Sequence, residues 1–224
     1  MSGLSEARIV VLISGQGRNL QAMIDHAAAG HIKGRIAGVI SNRAEAGGLA
    51  RATETGIATQ VIPHQQFASR DDFDRALADA VRRHQPDIVV LAGFMRVLGR
   101  AFIDEFHGAL VNIHPSLLPK YPGLKTHERA LAAGDAEHGA SVHFVTPEVD
   151  GGPVAIQGGF RLTAHDTAQT LAERVMQEVE VKIYPQAIAW LARGALRLAD
   201  GRVLFEGAPL AKPLSMRDLE PAFR

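Results

Sequence analysis

At 224 residues, 46% of them hydrophobic and 21% charged, the chain can bury a sizeable core and is too apolar to stay disordered. Its 24 basic residues balance 24 acidic ones, which removes the general field that draws proteins to nucleic acid or anionic membranes, and the lack of cysteine excludes disulfides and thiolate metal sites. The start, MSGLSEAR, has no apolar leader core, and no run approaches the ~18 apolar residues of a membrane span, so the expectation is a cytoplasmic protein.

Residues 8–14, RIVVLIS, are a continuous β-branched run, the pattern of a strand buried on both faces. Gly15-Gln16-Gly17-Arg18-Asn19 follows, and residues 20–29 read as a helix stopped by Gly30. In such a unit bare backbone approaches a ligand, and free N–H groups at the helix start favour an anion; a turn serving only packing is the competing reading. A second strand is expected at 36–40, a short helix at 47–55 and a third strand at 59–62. Ser69-Arg70-Asp71-Asp72 has the form of a capping box and opens a helix to about residue 84. Arg70, in its first turn, opposes the helix dipole, which points to a ligand contact or to plain solvent exposure.

Residues 87–92, DIVVLA, predict a fourth buried strand, followed at once by Gly93-Phe94-Met95-Arg96-Val97-Leu98. Phe94, Met95, Val97 and Leu98 either line a slot for a flat heterocycle or pack as ordinary core. Four βα units in succession predict an α/β fold, a doubly wound, mostly parallel twisted sheet with helices on both faces. Residues 110–114, LVNIH, alternate, which puts Asn112 and His114 on one strand face, and Pro115 ends the ladder. Ligands of open α/β sheets bind at such strand ends. Thr126 then caps a helix ending at Gly134, residues 140–146 alternate as a strand, and 154–160 return after a turn containing Asp150-Gly151-Gly152. Thr167 starts a long helix to about Arg193, and the tail carries an Asp200-Gly201 hairpin. No repeat or linker interrupts the chain, which reads as one domain over 1–224 with antiparallel hairpin elements at its C-terminus.

Asn112, His114 and Asp150 carry the candidate chemistry. A carboxylate near an imidazole raises its pKa above the usual ~6.5 and holds it as imidazolium, and an amide beside it adds a second donor. Two donors aimed at one point stabilise the oxyanion of a tetrahedral intermediate. With no cysteine and no G-x-S-x-G elbow, direct attack by a substrate amine is more natural than an acyl-enzyme. The blander reading is a buried strand histidine with a local hydrogen bond. The 10 histidines do not form a metal motif: there is no H-E-x-x-H, and His138 and His143 read as straddling a strand start on different faces.

The stretches VVLISGQGRNLQAMID, SNRAEAGGLARA, PDIVVLAGFMRVL, VNIHPSLLPKYPGLKTHERAL and GASVHFVTPEVDGGPV resemble the glycinamide ribonucleotide formyltransferases, folate-dependent enzymes of purine synthesis. The likeness runs in register from about residue 8 to 184. The N-x-H-P-S and D-G-G motifs are shared by the wider formyltetrahydrofolate-using superfamily, whereas LLPKYPGL and the S-G-x-G-x-N loop point to this member. The resemblance implies a Rossmann-like formyltransferase fold with a nucleotide-binding half at about 8–108, a catalytic and folate half at about 109–194 and a tail over 195–224. It implies that the amine of glycinamide ribonucleotide attacks the formyl carbon of 10-formyltetrahydrofolate, with Asn112 and His114 holding the oxyanion. Asp150 would keep His114 charged and relay the amine proton through water. Gly17, Arg18 and Asn19 match the ribonucleotide phosphate loop, and Glu180 a glutamate on the ribose. Met95, Arg96, Val97 and Leu98 match the folate-pocket segment, with Asn112 also on the folate side and Arg70 an arginine near it. No metal and no nucleic acid are implied, and the expected assembly is a monomer or homodimer.

Two departures stand out. Position 18 is usually small and polar in this family, so Arg18 adds a cation beside the phosphate. The stretch 175–180 is one residue longer than usual, and an extra helical residue rotates what precedes it by ~100°, so either Glu178 or Glu180 takes the ribose position. Three other readings compete. A formyltetrahydrofolate deformylase would carry a regulatory domain before a strand that here starts at residue 8. A methionyl-tRNA formyltransferase would carry a C-terminal RNA-binding domain and a basic surface. A non-catalytic folate or nucleotide binder would not need Asn112, His114 and Asp150 together.

Overall fold

Alternating strands and helices fill the first half of the chain, in a computed structural model that describes residues 6–224. They run β1 (Ala7–Ile13), α1 (Arg18–Ala28), β2 (Gly34–Ser41), α2 (Gly47–Glu54), β3 (Thr59–Val61), α3 (Arg70–Arg83), β4 (Ile88–Leu91), α4 (Arg100–Glu105) and β5 (Leu110–His114). The second half adds α5 (Thr126–Ala132), the antiparallel pair β6 (Glu137–Phe144) and β7 (Val154–Arg161), then α6 (Ala168–Arg174) and α7 (Val181–Ala192). In the tail β8 (Leu196–Ala199), β9 (Arg202–Phe205) and β10 (Ala208–Pro209) make a small antiparallel sheet, and β11 (Leu214–Ser215) returns to the main sheet beside β7. The leader reading made on the first five residues lies outside the described residues. Among the described residues no helix is long and apolar enough to cross a membrane.

The eight-stranded sheet has the order β11-β7-β6-β5-β4-β1-β2-β3. Neighbours from β3 to β5 are parallel, and β6 pairs antiparallel with β5. This is the doubly wound, mostly parallel arrangement expected from the βα rhythm. Strand order reverses between β1 and β4, so the loops leaving these two strands part and open a crevice at their carboxyl ends. Alternation sorts β1 between two layers. Ile9, Val11 and Ile13 pack with Leu20 and Met23 of α1 and Ile183 and Ile188 of α7. Val10 and Leu12 pack with Phe73 and Leu77 of α3 and Phe102 of α4.

Several boundaries differ from expectation, each for a local reason. Helix α1 starts two residues early, at Arg18, because Gly17 takes the left-handed conformation (φ 73°) that ends the loop there. Thr126 is the first residue of α5 and not its cap; the cap position is Lys125, itself left-handed (φ 59°), and no side chain caps the helix. Strand β6 begins at Glu137, so His138 and His143 both lie inside it and not astride its start. Helix α4 was not legible, being a single six-residue piece without a side-chain cap.

The long helix expected over 167–193 is broken by a π-helical turn at Val175–Glu180, in which Val181 N–H reaches back five residues to the Met176 carbonyl. Buried Leu171, Val175, Val179, Ile183 and Ala187 recur every fourth residue. At ~100° per residue that spacing drifts by roughly 40° each step in a regular α-helix, and a wider turn takes part of the drift back. The turn therefore keeps both flanking segments on the sheet, and it is the place where the extra residue expected in 175–180 would be taken up. Tyr184, fully buried, anchors the far side: its hydroxyl lies 3.0 Å from the Leu91 carbonyl and 3.1 Å from that of Val111, a single proton serving β4 and β5 together. Deleting exposed Gln177 should convert the π turn to α-helix and change Tm by no more than about 4 °C, whereas deleting Ala187 from the regular part of α7 should prevent folding. Equal losses in thermal unfolding would mean that the wide turn does not absorb the extra residue.

Candidate active site

The site begins at the end of β5. Asn112 and His114 project from one face into a cavity of about 680 Å³, whose walls include Met95, Arg96, Val97 and Leu98 on one side and Gly123–Glu128 and Val145–Asp150 on the others. Met95, Val97, Leu124 and Val149 leave apolar surface exposed around it. Asp150 reaches this face from the β6–β7 connection. It is left-handed (φ 52°), and the connection is pinned two residues on, where a Cβ on Gly152 would come within 1.8 Å of the Phe144 carbonyl oxygen. The Asp-Gly-Gly run is thus a requirement of the backbone as well as a carrier of the carboxylate.

Asp150 Oδ2 stands 3.3 Å from His114 Nδ1 and accepts a 2.8 Å hydrogen bond from Gly123 N–H. The other edge of the ring is also engaged, with His114 Nε2 donating to the Tyr121 carbonyl at 2.8 Å. A third ring completes the cluster. His143, opposite Asn112 in the antiparallel ladder, gives its Nδ1 hydrogen to the Phe144 carbonyl (3.0 Å). Its Nε2 stands 3.1 Å from Asn112 Nδ2 and 3.6 Å from Asp150 Oδ1. An amide NH₂ has two hydrogens, so Asn112 keeps one for a ligand. Sequence reasoning weighed His143 only as a metal ligand; the missing signal was strand register, which no single sequence states.

The electrostatics depart from expectation at one point. Burial lowers the His114 pKa below its ordinary value; the Tyr121 carbonyl and the Asp150 carboxylate raise it without cancelling the loss of water. The ligand-free ring therefore favours the neutral form, and not the permanent imidazolium expected from an adjacent carboxylate. Burial pushes Asp150 upward too, but the His143 ring and the Gly123 N–H outweigh it and hold the carboxyl below its usual range.

The nucleotide-side residues gather elsewhere. Gly17, Arg18, Asn19 and Glu180 do not line this cavity. They meet where α1 faces the π turn: Asn19 Nδ2 donates to Glu180 Oε2 at 2.6 Å, both side chains are buried, and Asn19 Oδ1 has no partner among the described residues. Burial raises the Glu180 pKa, partly offset by that amide and by Arg18. Glu178 instead faces solvent and pairs with Arg174, so the π turn presents Glu180, and not Glu178, to the glycine loop. At the end of β1, Ser14 Oγ donates to Asn42 Oδ1 (2.5 Å) and accepts from Met95 N–H (2.8 Å), which ties the cavity segment to the ends of β1 and β2. Arg70 stays outside the cavity, near Gly99 and the buried carboxylate of Asp74, which accepts from Gly99 N–H at 2.6 Å. His127, in the cavity wall, and His138 behind it share a 2.9 Å contact between Nδ1 and Nε2. Among the described residues no three His, Cys, Asp or Glu side chains gather as a metal site.

Residues 7–188 match the family described as formyl transferase. The chain is 50% identical over 202 residues to phosphoribosylglycinamide formyltransferase of Escherichia coli, an alignment covering 90% of this chain and 95% of that one. Among solved structures it resembles phosphoribosylglycinamide formyltransferase of Coxiella burnetii in complex with CHES, with TM-score 0.89, 49% identity, and 94% and 99% of the two chains covered. A formyltetrahydrofolate deformylase from Pseudomonas syringae aligns with TM-score 0.82 over 90% of this chain and 66% of its own, but at 24% identity that likeness concerns the fold alone.

The His127–His138 pair sets an acid limit. Burial first, and His127 second, lower the His138 pKa from 6.5 to about 4. Between those values the unfolded chain takes up a proton that the folded chain refuses, so stability falls as pH drops through the window, by on the order of 3 kcal/mol at its foot. Urea unfolding at about pH 7 and about pH 5 should show the loss, and His138→Gln should flatten it. An unchanged slope in the variant would assign the acid loss to other groups.

Proposed function

The chain belongs to the formyl transferase family, and from that premise we propose that it transfers the formyl group of 10-formyltetrahydrofolate to the amine of glycinamide ribonucleotide in de novo purine biosynthesis. The carrying observation is the cluster in which half-buried Asp150 faces buried His114 at 3.3 Å beside Asn112, at the mouth of an apolar cavity. Both substrates are small molecules and the protein works in the cytoplasm, as one formyltransferase domain.

The amine nitrogen bonds to the formyl carbon while the carbonyl electron pair moves onto oxygen. The free Asn112 hydrogen meets that oxyanion, joined by His114 Nε2–H once it turns from the Tyr121 carbonyl. His114 Nδ1, facing Asp150, receives the amine proton through water. A neutral ring that gains a proton only as negative charge grows nearby suits this task better than a permanent imidazolium. Collapse restores the carbonyl, breaks the bond to the folate nitrogen and returns the proton to that nitrogen. Met95, Arg96, Val97 and Leu98 hold the folate against the cavity wall with Arg70 toward its outer end, and Gly17, Arg18, Asn19 and Glu180 hold the ribonucleotide.

Folate absorbance should change only when glycinamide ribonucleotide is present; an equal change without it identifies a hydrolase. His114→Ala should lower turnover by roughly 10²–10³-fold, and near-normal turnover would remove His114 from the mechanism. Because the reacting ring starts neutral, the rate should fall on the acid side as His114 protonates. Asp150→Asn removes a carboxylate that raises that pKa, so it should shift the acid limb of the residual activity to lower pH. A limb that does not move belongs to the substrate amine.

A further inference from the structure

We propose that Glu173 is a positioning residue for the ribonucleotide phosphate, acting through Arg18; the inference rests on the formyltransferase reading above. Arg18 is the first residue of α1, behind a left-handed Gly17 and with no side chain capping the helix, so the leading N–H groups of α1 are open to an anion. Its side chain crosses to α6, where a single nitrogen, Nη1, donates to both Glu173 oxygens at 2.7 and 2.8 Å. A guanidinium has five N–H donors, and Nη1 supplies two. The remaining three, on Nε and Nη2, make no hydrogen bond among the described residues. Glu173 is steadied in turn by the Gln177 amide one turn along.

Stability alone is a weak reason for this arrangement. The two side chains are 44% and 46% exposed, and pairs so wetted contribute about 0–1 kcal/mol. Orientation is the stronger reason. Glu173 takes one corner of the fork and leaves three donors free, of which Nε–H and one Nη2–H share a planar edge, the shape that matches a phosphate. A free arginine at this position would lose several rotamers on binding, and one already held by Glu173 loses fewer. Buried Asn19, the next residue, points independently to a ligand at this loop: its unpartnered Oδ1 is an acceptor, which suits a hydroxyl donor of the same ribonucleotide and not the phosphate itself. The alternative, that Glu173 competes with the phosphate for Arg18, makes the opposite prediction.

The test is steady-state kinetics of the full chain with glycinamide ribonucleotide varied, on Arg18→Ser, Glu173→Ala, Glu173→Gln and the Arg18→Ser/Glu173→Ala double variant. Arg18→Ser should raise the ribonucleotide KM by about 5–20-fold and Glu173→Ala by about threefold, with the folate KM unaffected. Glu173→Gln keeps an acceptor for Nη1 and should hold KM within about twofold of the parent. The double variant should be no worse than Arg18→Ser, because Glu173 has no other route to the phosphate. A KM that falls or stays level in Glu173→Ala, or losses that add in the double variant, overturns the proposal. A parent chain without formyl transfer removes the functional reading instead, so the two failures are distinct.

Discussion

A carboxylate taken out of water has to be matched on every side, and Asp150 is matched by three separate pieces of chain. One oxygen faces His114 at the end of β5 and takes the Gly123 N–H from the loop over the cavity; the other faces His143 on β6. The carboxylate therefore does structural work before any chemistry, since it fixes the cavity wall to the strand that carries Asn112 and His114. It sits where it does because Gly152 lets the turn press against the Phe144 carbonyl. A side chain there would push the turn off β6 and take the carboxylate with it.

The same burial that makes Asp150 effective lowers His114, and the two effects are not independent. Water excluded from the cluster strengthens the attraction between carboxylate and imidazolium, yet it also withdraws the hydration that would stabilise the imidazolium. At His114 the loss of water prevails. In the proposed reaction, a formyl oxygen that develops negative charge adds a second anion beside the ring, so the balance would shift toward protonation as the reaction proceeds. The ring is thereby poised to accept a proton late and release it early.

Much of this was legible in the sequence, and what was not had identifiable causes. Buried β-branched runs announced β1 and β4, alternation put Asn112 and His114 on one face, and the motif stretches carried the family. Missed or misplaced features depend on partners distant in sequence or on backbone conformations that residue type does not announce. His143 matters because antiparallel register sets it opposite Asn112. Lys125, a residue with no special tolerance for positive φ, takes the position given to Thr126 as cap. The tail read as a plain hairpin, yet Leu219 and Phe223 are buried in the core, and Glu220 accepts from Trp190 Nε1 at 2.9 Å. The π turn had a sign that went unread, namely the run of buried residues at every fourth position.

That turn also shows how an extra residue in this segment can be accommodated without moving the flanking helices. Helix α7 is indexed to the sheet by Tyr184, whose hydroxyl serves the Leu91 and Val111 carbonyls, and α6 is indexed separately by the reciprocal cap between Thr167 and Thr170. An extra residue between two such fixed points has nowhere to go in a regular helix, because rotation would carry either Glu180 or Glu173 off its face. A π turn widens the coil locally and leaves both ends in register. Glu180 then stays on Asn19, and Glu173, one turn before the bulge, stays on Arg18. Both departures thus fall around the start of α1 and the π turn, away from the strand end and the turn that carry Asn112, His114 and Asp150.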